Sequence, residues 1–297
     1  MTEKVVIFGN SHHGRAAIRK CNASKKFECV CLLDSNKKIH NTTVLNKKVY
    51  HITKINKINF DKIIFCGRYI EEQLKQVKKY NIKKSKFLLW GKSKLLPPKN
   101  ELMQREKIIL KMLSYVVKKF NQNQINYWMD GSGLLAIVRK QHLAEFSDVD
   151  ISINSNDVEK IYKILKDNKK DFSFDSNFIS KIEKNKKIPK TPMFITRRVN
   201  PEVIETPILE FLINKITKKQ VKKECKLAIG RHYYEKLPIK YFRSFKTIKY
   251  KGLDLNVPSK YEEYLEYLYG KSWKKKLEFW NYKPKRSLVH LFVYKKV

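Results

Sequence analysis

Cysteine is too sparse in this chain to staple a fold or to hold zinc. The five thiols, Cys21, Cys29, Cys31, Cys66 and Cys225, are odd in number and contain no Cys-x-x-Cys pair. Neither a disulfide framework nor a zinc site is indicated, and the cysteines read as buried thiols of a reducing compartment. Long apolar runs are missing as well, since no stretch approaches the ~18 residues of a membrane span. The chain runs into its first strand without a basic-then-apolar leader, so the expected location is cytoplasmic. Acidic residues are few, 28 against 65 Lys and Arg, for a formal net charge of +37 at pH 7. Such a surface favours acidic partners: nucleic acid, anionic lipid headgroups or phosphorylated substrates. The excess is nearly all lysine and comes with abundant Ile and Asn, a composition that AT-rich coding also produces. Surface charge therefore speaks to association and not to fold.

What is present points first to size. With 297 residues, 42% of them hydrophobic, the chain can bury a large core and divides more readily into two domains than one. The N-terminal part reads KVVIFGNSHHGRAAI, an apolar strand (Val5 to Phe8) that stops at Gly9 and is followed by Ser11, Gly14 and a helix. CVCLLD, ending at Asp34, and KIIFCG, ending at Gly67, read as further strands, with a helix over Glu71 to Tyr80. Strands alternating with helices predict a parallel sheet with crossover helices, a small Rossmann-like unit. Gly9-x-Ser11-x-x-Gly14 is a variant dinucleotide fingerprint, and Asp34 stands where a carboxylate meets a ribose hydroxyl; these four residues are the candidate cofactor-binding set. His12 and His13 share that loop, where adjacent histidines usually face solvent.

Leu95-Leu96-Pro97-Pro98 marks the expected boundary, giving domains 1–96 and 97–297. Beyond it, Leu102, Ile109, Met112, Val116 and Phe120 recur at helical spacing over 101–122, a core-facing stripe. Helices are also expected over 157–168 and from a capping box at Ser259 to Glu262 as far as Gly270. The segments around Phe172 and Phe194 read as strands or loops.

The most informative stretch is YWMDGSGLLAIVRKQHLAEFSDVDISI, Tyr127 to Ile153. Phosphoryl and nucleotidyl transfer require small residues at a helix start, where phosphate reaches backbone amides, and carboxylates that hold divalent ions on the phosphate oxygens. Gly131, Ser132 and Gly133 suit the first task. Asp148 and Asp150 suit the second, because alternate positions of a strand project to one side and can grip Mg²⁺. Arg139, at the end of the short helix, can fork onto phosphate oxygens or interact with the helix C-terminus. Glycine turns and Asp-x-Asp pairs are each common. Their order here, aromatic strand, small turn, apolar helix, base and carboxylate strand, makes the motif.

These residues resemble the LicD/fukutin-type phosphotransferases, a branch of the nucleotidyltransferase fold shared with DNA polymerase β. Asp130, Gly131, Leu134, Leu135 and Arg139 fall on that family's first pattern, and Phe146, Asp148 and Asp150 on its Asp-rich second part. A further match lies at LDLNVPSKYEEYLEYLYGKSW, Leu253 to Trp273. Ser132 and Gly133 stand where many members carry Gly and Thr, Ala136 replaces a common glycine, and a run of aspartates is reduced to Ser147-Asp148, which is closer to the fukutin-like variants. The first domain resembles nucleotide-sugar-binding N-terminal units of some glycan-modifying enzymes.

The resemblance implies a third carboxylate from a neighbouring strand. Glu210 in PILEFLI is the candidate, ahead of Glu205, whose strand pattern Pro207 interrupts. It also implies Mg²⁺ or Mn²⁺ held by Asp148, Asp150 and Glu210, and a CDP-linked alcohol as donor. The transferred group would be phosphocholine, glycerol phosphate or ribitol phosphate. The acceptor would be the hydroxyl of a glycan, lipid-linked in one version. Lysine clusters at 181–190, 215–226 and 271–276, with the tail SLVHLFVYKKV, read by default as solvated faces. The sharper reading is peripheral contact with an anionic membrane. Nucleic acid is not the expected partner. Two other readings stay open: a nucleotidyltransferase acting on a small molecule or nucleic acid, and a sugar-nucleotide- or NAD-binding first domain beside a degenerate second one.

Overall fold

The structure, a computed structural model, describes residues 2–67, 69–165, 172–174, 193–196, 206–226 and 232–279. The chain forms two compact units: unit 1 holds Met1–Glu101 and a later segment that includes Lys276–Asn281, and unit 2 holds most of the rest from Leu102 onward. Among the described residues no helix is long and apolar enough to cross a membrane.

Unit 1 carries strands β1 (Glu3–Phe8), β2 (Phe27–Asp34), β3 (Thr43–Val44), β4 (Lys47–His51), β5 (Lys62–Cys66) and β6 (Phe87–Trp90). Its helices are α1 (His12–Asn22), α2 (Ile70–Val77) and the short α3 (Lys92–Leu95). The sheet order is β3-β4-β2-β1-β5-β6, parallel throughout except for the β3–β4 hairpin. The continuous apolar run Val5 to Phe8 follows from β1 being central and covered on both sides. Val5 and Ile7 pack with Ala17, Ile18 and Cys21 of α1, while Val6 and Phe8 pack with Val77 of α2. This is the expected Rossmann-like, three-layer arrangement. The thiols of Cys21, Cys29, Cys31 and Cys66 are buried, as expected. Burial pushes Cys21, Cys29 and Cys66 up to about 12 and Cys31 to about 11, so they stay protonated and inert.

The candidate cofactor residues lie at the end of β1 and the start of α1, with Asp34 at the end of β2, where they also shape the framework. Gly9 adopts φ +109°, and a Cβ on Gly14 would lie 2.0 Å from the Gly9 carbonyl oxygen, so Gly14 is what lets α1 approach β1. The Asp34 carboxylate accepts the backbone N–H of Asn10 on one oxygen, at 2.9 Å, and that of Asn36 on the other, at 2.8 Å. It thus ties two loops together. Ser11 is the N-cap of α1 without a side-chain capping bond. His13, expected to face solvent, is buried, because the helix already begins at His12 and carries the ring in toward Gly67.

Unit 2 is built on α4 (Lys99–Gln122), β7 (Tyr127–Met129), α5 (Gly131–Val138), β8 (Val149–Asn154) and α6 (Val158–Leu165). It continues with β9 (Phe172–Phe174), β10 (Met193–Thr196), β11 (Ile208–Ile216), β12 (Gln220–Lys226) and β13 (His232–Pro238). A two-stranded sheet, β14 (Phe245–Tyr250) and β15 (Leu253–Pro258), and α7 (Tyr261–Tyr269) complete it. The seven described strands β7 to β13 form one mixed sheet in which β8 runs parallel to β11 and antiparallel to β7. Ile109, Met112, Val116 and Phe120 of α4 enter the core of this unit, as their spacing predicted. The expected capping box does not form: α7 starts at Tyr261 with Lys260 as N-cap and no side-chain cap, and Tyr264 N–H bonds the Lys260 carbonyl. Lys181 to Lys190, Glu205 and the tail from Ser287 lie outside the described residues.

Gly14→Ala should destabilise unit 1 by at least ~1–3 kcal/mol, the usual cost of forcing extra volume into a packed contact. Chemical denaturation followed by a probe in unit 1 measures it; an unchanged midpoint would contradict the packing described.

Candidate active site

The register of two strands sets the site. Asp150 of β8 pairs directly with Glu210 of β11. On β8, Val149, Ile151 and Ile153 point into the core; on β11, Leu209, Phe211 and Ile213 do the same. Alternation therefore sends Asp150 and Glu210 to the opposite face together. Asp148, expected on the strand together with Asp150, is instead the residue immediately before it. Its carboxylate still joins the other two: ligand oxygens of Asp148, Asp150 and Glu210 all lie within 4.8 Å of one another, and all three residues are partly exposed.

Three carboxylates this close cannot all be charged without a counter-ion. Burial, then the negative charge of Asp148, pushes Asp150 up to about 7, although the Ser132 hydroxyl and N–H favour its charged form. Burial and the charges of Asp148 and Asp150 push Glu210 well above the ordinary carboxylate range. Such an all-oxygen set suits a hard divalent cation such as Mg²⁺ or Mn²⁺, whose charge reverses this pKa logic.

The Gly-Ser-Gly segment is the first turn of α5 and does a task not foreseen from its sequence. Ser132 directs its N–H (2.6 Å) and hydroxyl (2.7 Å) at Oδ2 of Asp150. Gly131 has φ +44°, and a Cβ there would lie 2.3 Å from the same oxygen. A Cβ on Gly133 would lie 3.0 Å from the Asp150 carbonyl oxygen. The small residues thus let the helix start rest on β8, and Ser132 holds one oxygen of Asp150.

Beneath this turn lies a buried polar knot that sequence reading missed. Asp130, 0% exposed, is the N-cap of α5 and accepts the Gly131 N–H. Its other partners are the hydroxyls of Ser152 and Tyr264 and the ammonium of Lys223, the last at 2.8 Å. These come from β8, α7 and β12, so one carboxylate joins four elements. Burial alone would raise Asp130, but the Lys223 ammonium and the hydrogen bonds of Lys223, Ser152 and Tyr264 hold it below the ordinary range. Burial likewise works against the Lys223 charge, and Asp130 and Glu235 outweigh it, so the pair is ionised. Asp130 falls on the family pattern, but Lys223 looks like any other lysine of a lysine-rich strand.

Two adjacent buried charges on α4 hold the loop that delivers Asp148. Arg105 donates to the carbonyls of Ala144 and Ser147, and Glu106 accepts from Ala144 N–H, Tyr250 hydroxyl and Lys251 ammonium. Arg139, expected to fork onto phosphate, caps α5 and donates to the carbonyls of Trp273 and Lys275. Orphan carbonyls after the last helix compete for the guanidinium, and it braces that segment.

Two outcomes follow. Lys223→Met should cost about 3–5 kcal/mol, because it strands a buried carboxylate. Combining it with Asp130→Asn should cost less than the sum of the two single changes; additivity in a denaturation cycle would refute the pairing. In the metal-free protein, a carboxyl raised to about 7 stabilises the fold at low pH and loses that contribution as pH rises from its unfolded value of 3.8 to about 7. The Tm of Asp150→Asn relative to the natural chain, measured with a chelator, should therefore rise between pH 5 and pH 8. A constant difference would contradict the crowding.

Comparison with known proteins fits this geometry. Residues 124–260 match the LicD/FKTN/FKRP nucleotidyltransferase domain, and residues 1–88 match the C2185-like N-terminal domain. No curated protein sequence matches the chain significantly. Among solved structures, a nucleotidyltransferase from Thermotoga maritima aligns at 19% identity over 54% of this chain and 82% of its own, with a TM-score of 0.31. A lincosamide antibiotic adenylyltransferase aligns at 15% identity over 52% and 83%, with a TM-score of 0.32. UDP-D-quinovosamine 4-dehydrogenase from Vibrio fischeri aligns at 17% identity over 35% and 85%, with a TM-score of 0.27. Likenesses of this size carry no argument. The family matches agree with the site built above: the chain carries a nucleotidyltransferase domain of the LicD/FKTN/FKRP family, a transferase domain, behind a C2185-like N-terminal domain.

Proposed function

We propose that the chain transfers a phospho-alcohol group, phosphocholine, glycerol phosphate or ribitol phosphate, from a CDP-linked donor to a hydroxyl of a cell-surface glycan. The observation that carries this reading is the convergence of Asp148, Asp150 and Glu210 beside the start of α5, within the segment that matches the family. Asp148, Asp150 and Glu210 would hold Mg²⁺ or Mn²⁺. A divalent ion bound there neutralises diphosphate charge and stabilises the departing nucleotide. Ser132 keeps one Asp150 oxygen occupied, leaving the other to face the ion. The first turn of α5 presents its positive end to the donor phosphates. The glycan oxygen attacks in line at the phosphorus bearing the alcohol; its bond to phosphorus forms as the bond to CMP breaks, and the hydroxyl proton is released.

The donor is CDP-linked in this reading, the glycan is carried on a lipid, and the enzyme works at the cytoplasmic face of a membrane. Lysines of the 215–226 and 271–276 stretches would favour anionic headgroups there.

The test is CMP release from CDP-choline, CDP-glycerol and CDP-ribitol with Mg²⁺ and a glycan acceptor. One donor should be consumed, and Asp148→Asn should lower the rate by at least ~100-fold, the scale of losing a preorganised contact to developing charge. Activity untouched by Asp148→Asn would overturn the assignment. Pyrophosphate release from nucleoside triphosphates in place of CMP release would favour the nucleotidyltransferase reading.

A further inference from the structure

Unit 1 has a hollow at the end of its sheet where the strands begin, opposite the end that carries Gly9 and Asp34. Its volume is about 830 Å³, within the ~300–1,000 Å³ of small-molecule sites. Lys4 of β1, Lys47 and Lys48 of β4, and Lys54 and Lys57 of the following 3-10 turn line it, and Glu28 of β2 is its one carboxylate. None of the five ammonium groups is ion-paired among the described residues.

The lysines are not on a floppy surface. Val49 anchors β4, and Ile52 and Ile55 anchor the 3-10 turn, all buried in the core of unit 1. The scaffold therefore gathers several lysines around one concavity, where a multiply charged anion can meet more than one of them. The chemistry of that anion follows from the lining. Ammonium groups are point-charge donors that suit phosphate oxygens. Tyr50 is the one aromatic residue in the wall, so no stacking sandwich for a nucleobase is present. A site of this kind reads charge number and not base identity.

We propose that this hollow binds a ligand carrying several phosphate charges, in a site separate from the acidic cluster of unit 2. The proposal does not depend on the reaction assigned to that cluster. Because the whole chain is basic, the test must separate this hollow from charge in general. Lys54→Glu/Lys57→Glu alters two exposed residues of the hollow; Lys78→Glu/Lys79→Glu makes the same charge change on an exposed turn of unit 1 outside it. Binding of inorganic tripolyphosphate to the full chain is measured by calorimetry at fixed ionic strength, with circular dichroism confirming the fold of each variant. Vesicles of phosphatidylcholine with phosphatidylglycerol form a second arm. The expected result is tripolyphosphate binding weakened by about tenfold or more in the hollow variant and nearly unchanged in the control. Equal weakening in both variants, absence of tripolyphosphate binding, or binding to vesicles alone would overturn the proposal.

Discussion

A carboxylate and an ammonium with almost no access to water hold the catalytic half of this molecule in register. Asp130 and Lys223 lie 2.8 Å apart, and their side chains are 0% and 5% exposed. Asp130 also takes the first amide of α5 and the hydroxyls of Ser152 and Tyr264. Burying two charges is costly, and such pairs do not in general make a fold more stable than apolar packing would. What this one does is specify: a single oxygen pair fixes the start of α5 against β8, β12 and α7. Ser132 then lies where its N–H and hydroxyl meet Asp150. The orientation of Asp150 in the acidic cluster is thus set two contacts away, by residues outside that cluster.

The cluster above this pair is deliberately unfavourable on its own. Asp148, Asp150 and Glu210 crowd together so that burial and mutual repulsion favour their protonated forms. The same arrangement becomes favourable once a cation compensates it, which couples metal binding to the ionisation of the site. Arg105 and Glu106 supply the rigidity this needs, because they clamp the loop before Asp148 through backbone carbonyls, an amide and two side chains of the β14–β15 hairpin.

Much of this was legible in the sequence, and the parts that were not share a cause. The continuous apolar run of β1 announced a strand buried on both faces, and the order of Gly131, Ser132, Asp148 and Asp150 announced a site. Glu210 was found because the family resemblance implies a third carboxylate from a neighbouring strand, and Glu210 is flanked by apolar residues on both sides. Lys223 could not stand out among Lys222, Lys223 and Glu224, since nothing local shows which lysine of the strand turns inward. Gly14 shows how ambiguous a local pattern is: a close helix–strand approach requires the same glycine whether or not a phosphate sits above it. The Trp273 and Lys275 carbonyls that Arg139 meets were not legible, because contacts with a distant segment are invisible to a local pattern.

Asp148, just before β8, and Asp150 and Glu210, on the paired strands β8 and β11, would together form one divalent-cation site oriented by Ser132. A crystal structure grown with Mn²⁺, using its anomalous scattering, tests this most directly. The account predicts an Mn²⁺ peak bonded to oxygens of Asp148, Asp150 and Glu210, with Ser132 still on Oδ2 of Asp150. A well-ordered structure at saturating Mn²⁺ with no ion among these residues, or with the ion held elsewhere, would contradict it.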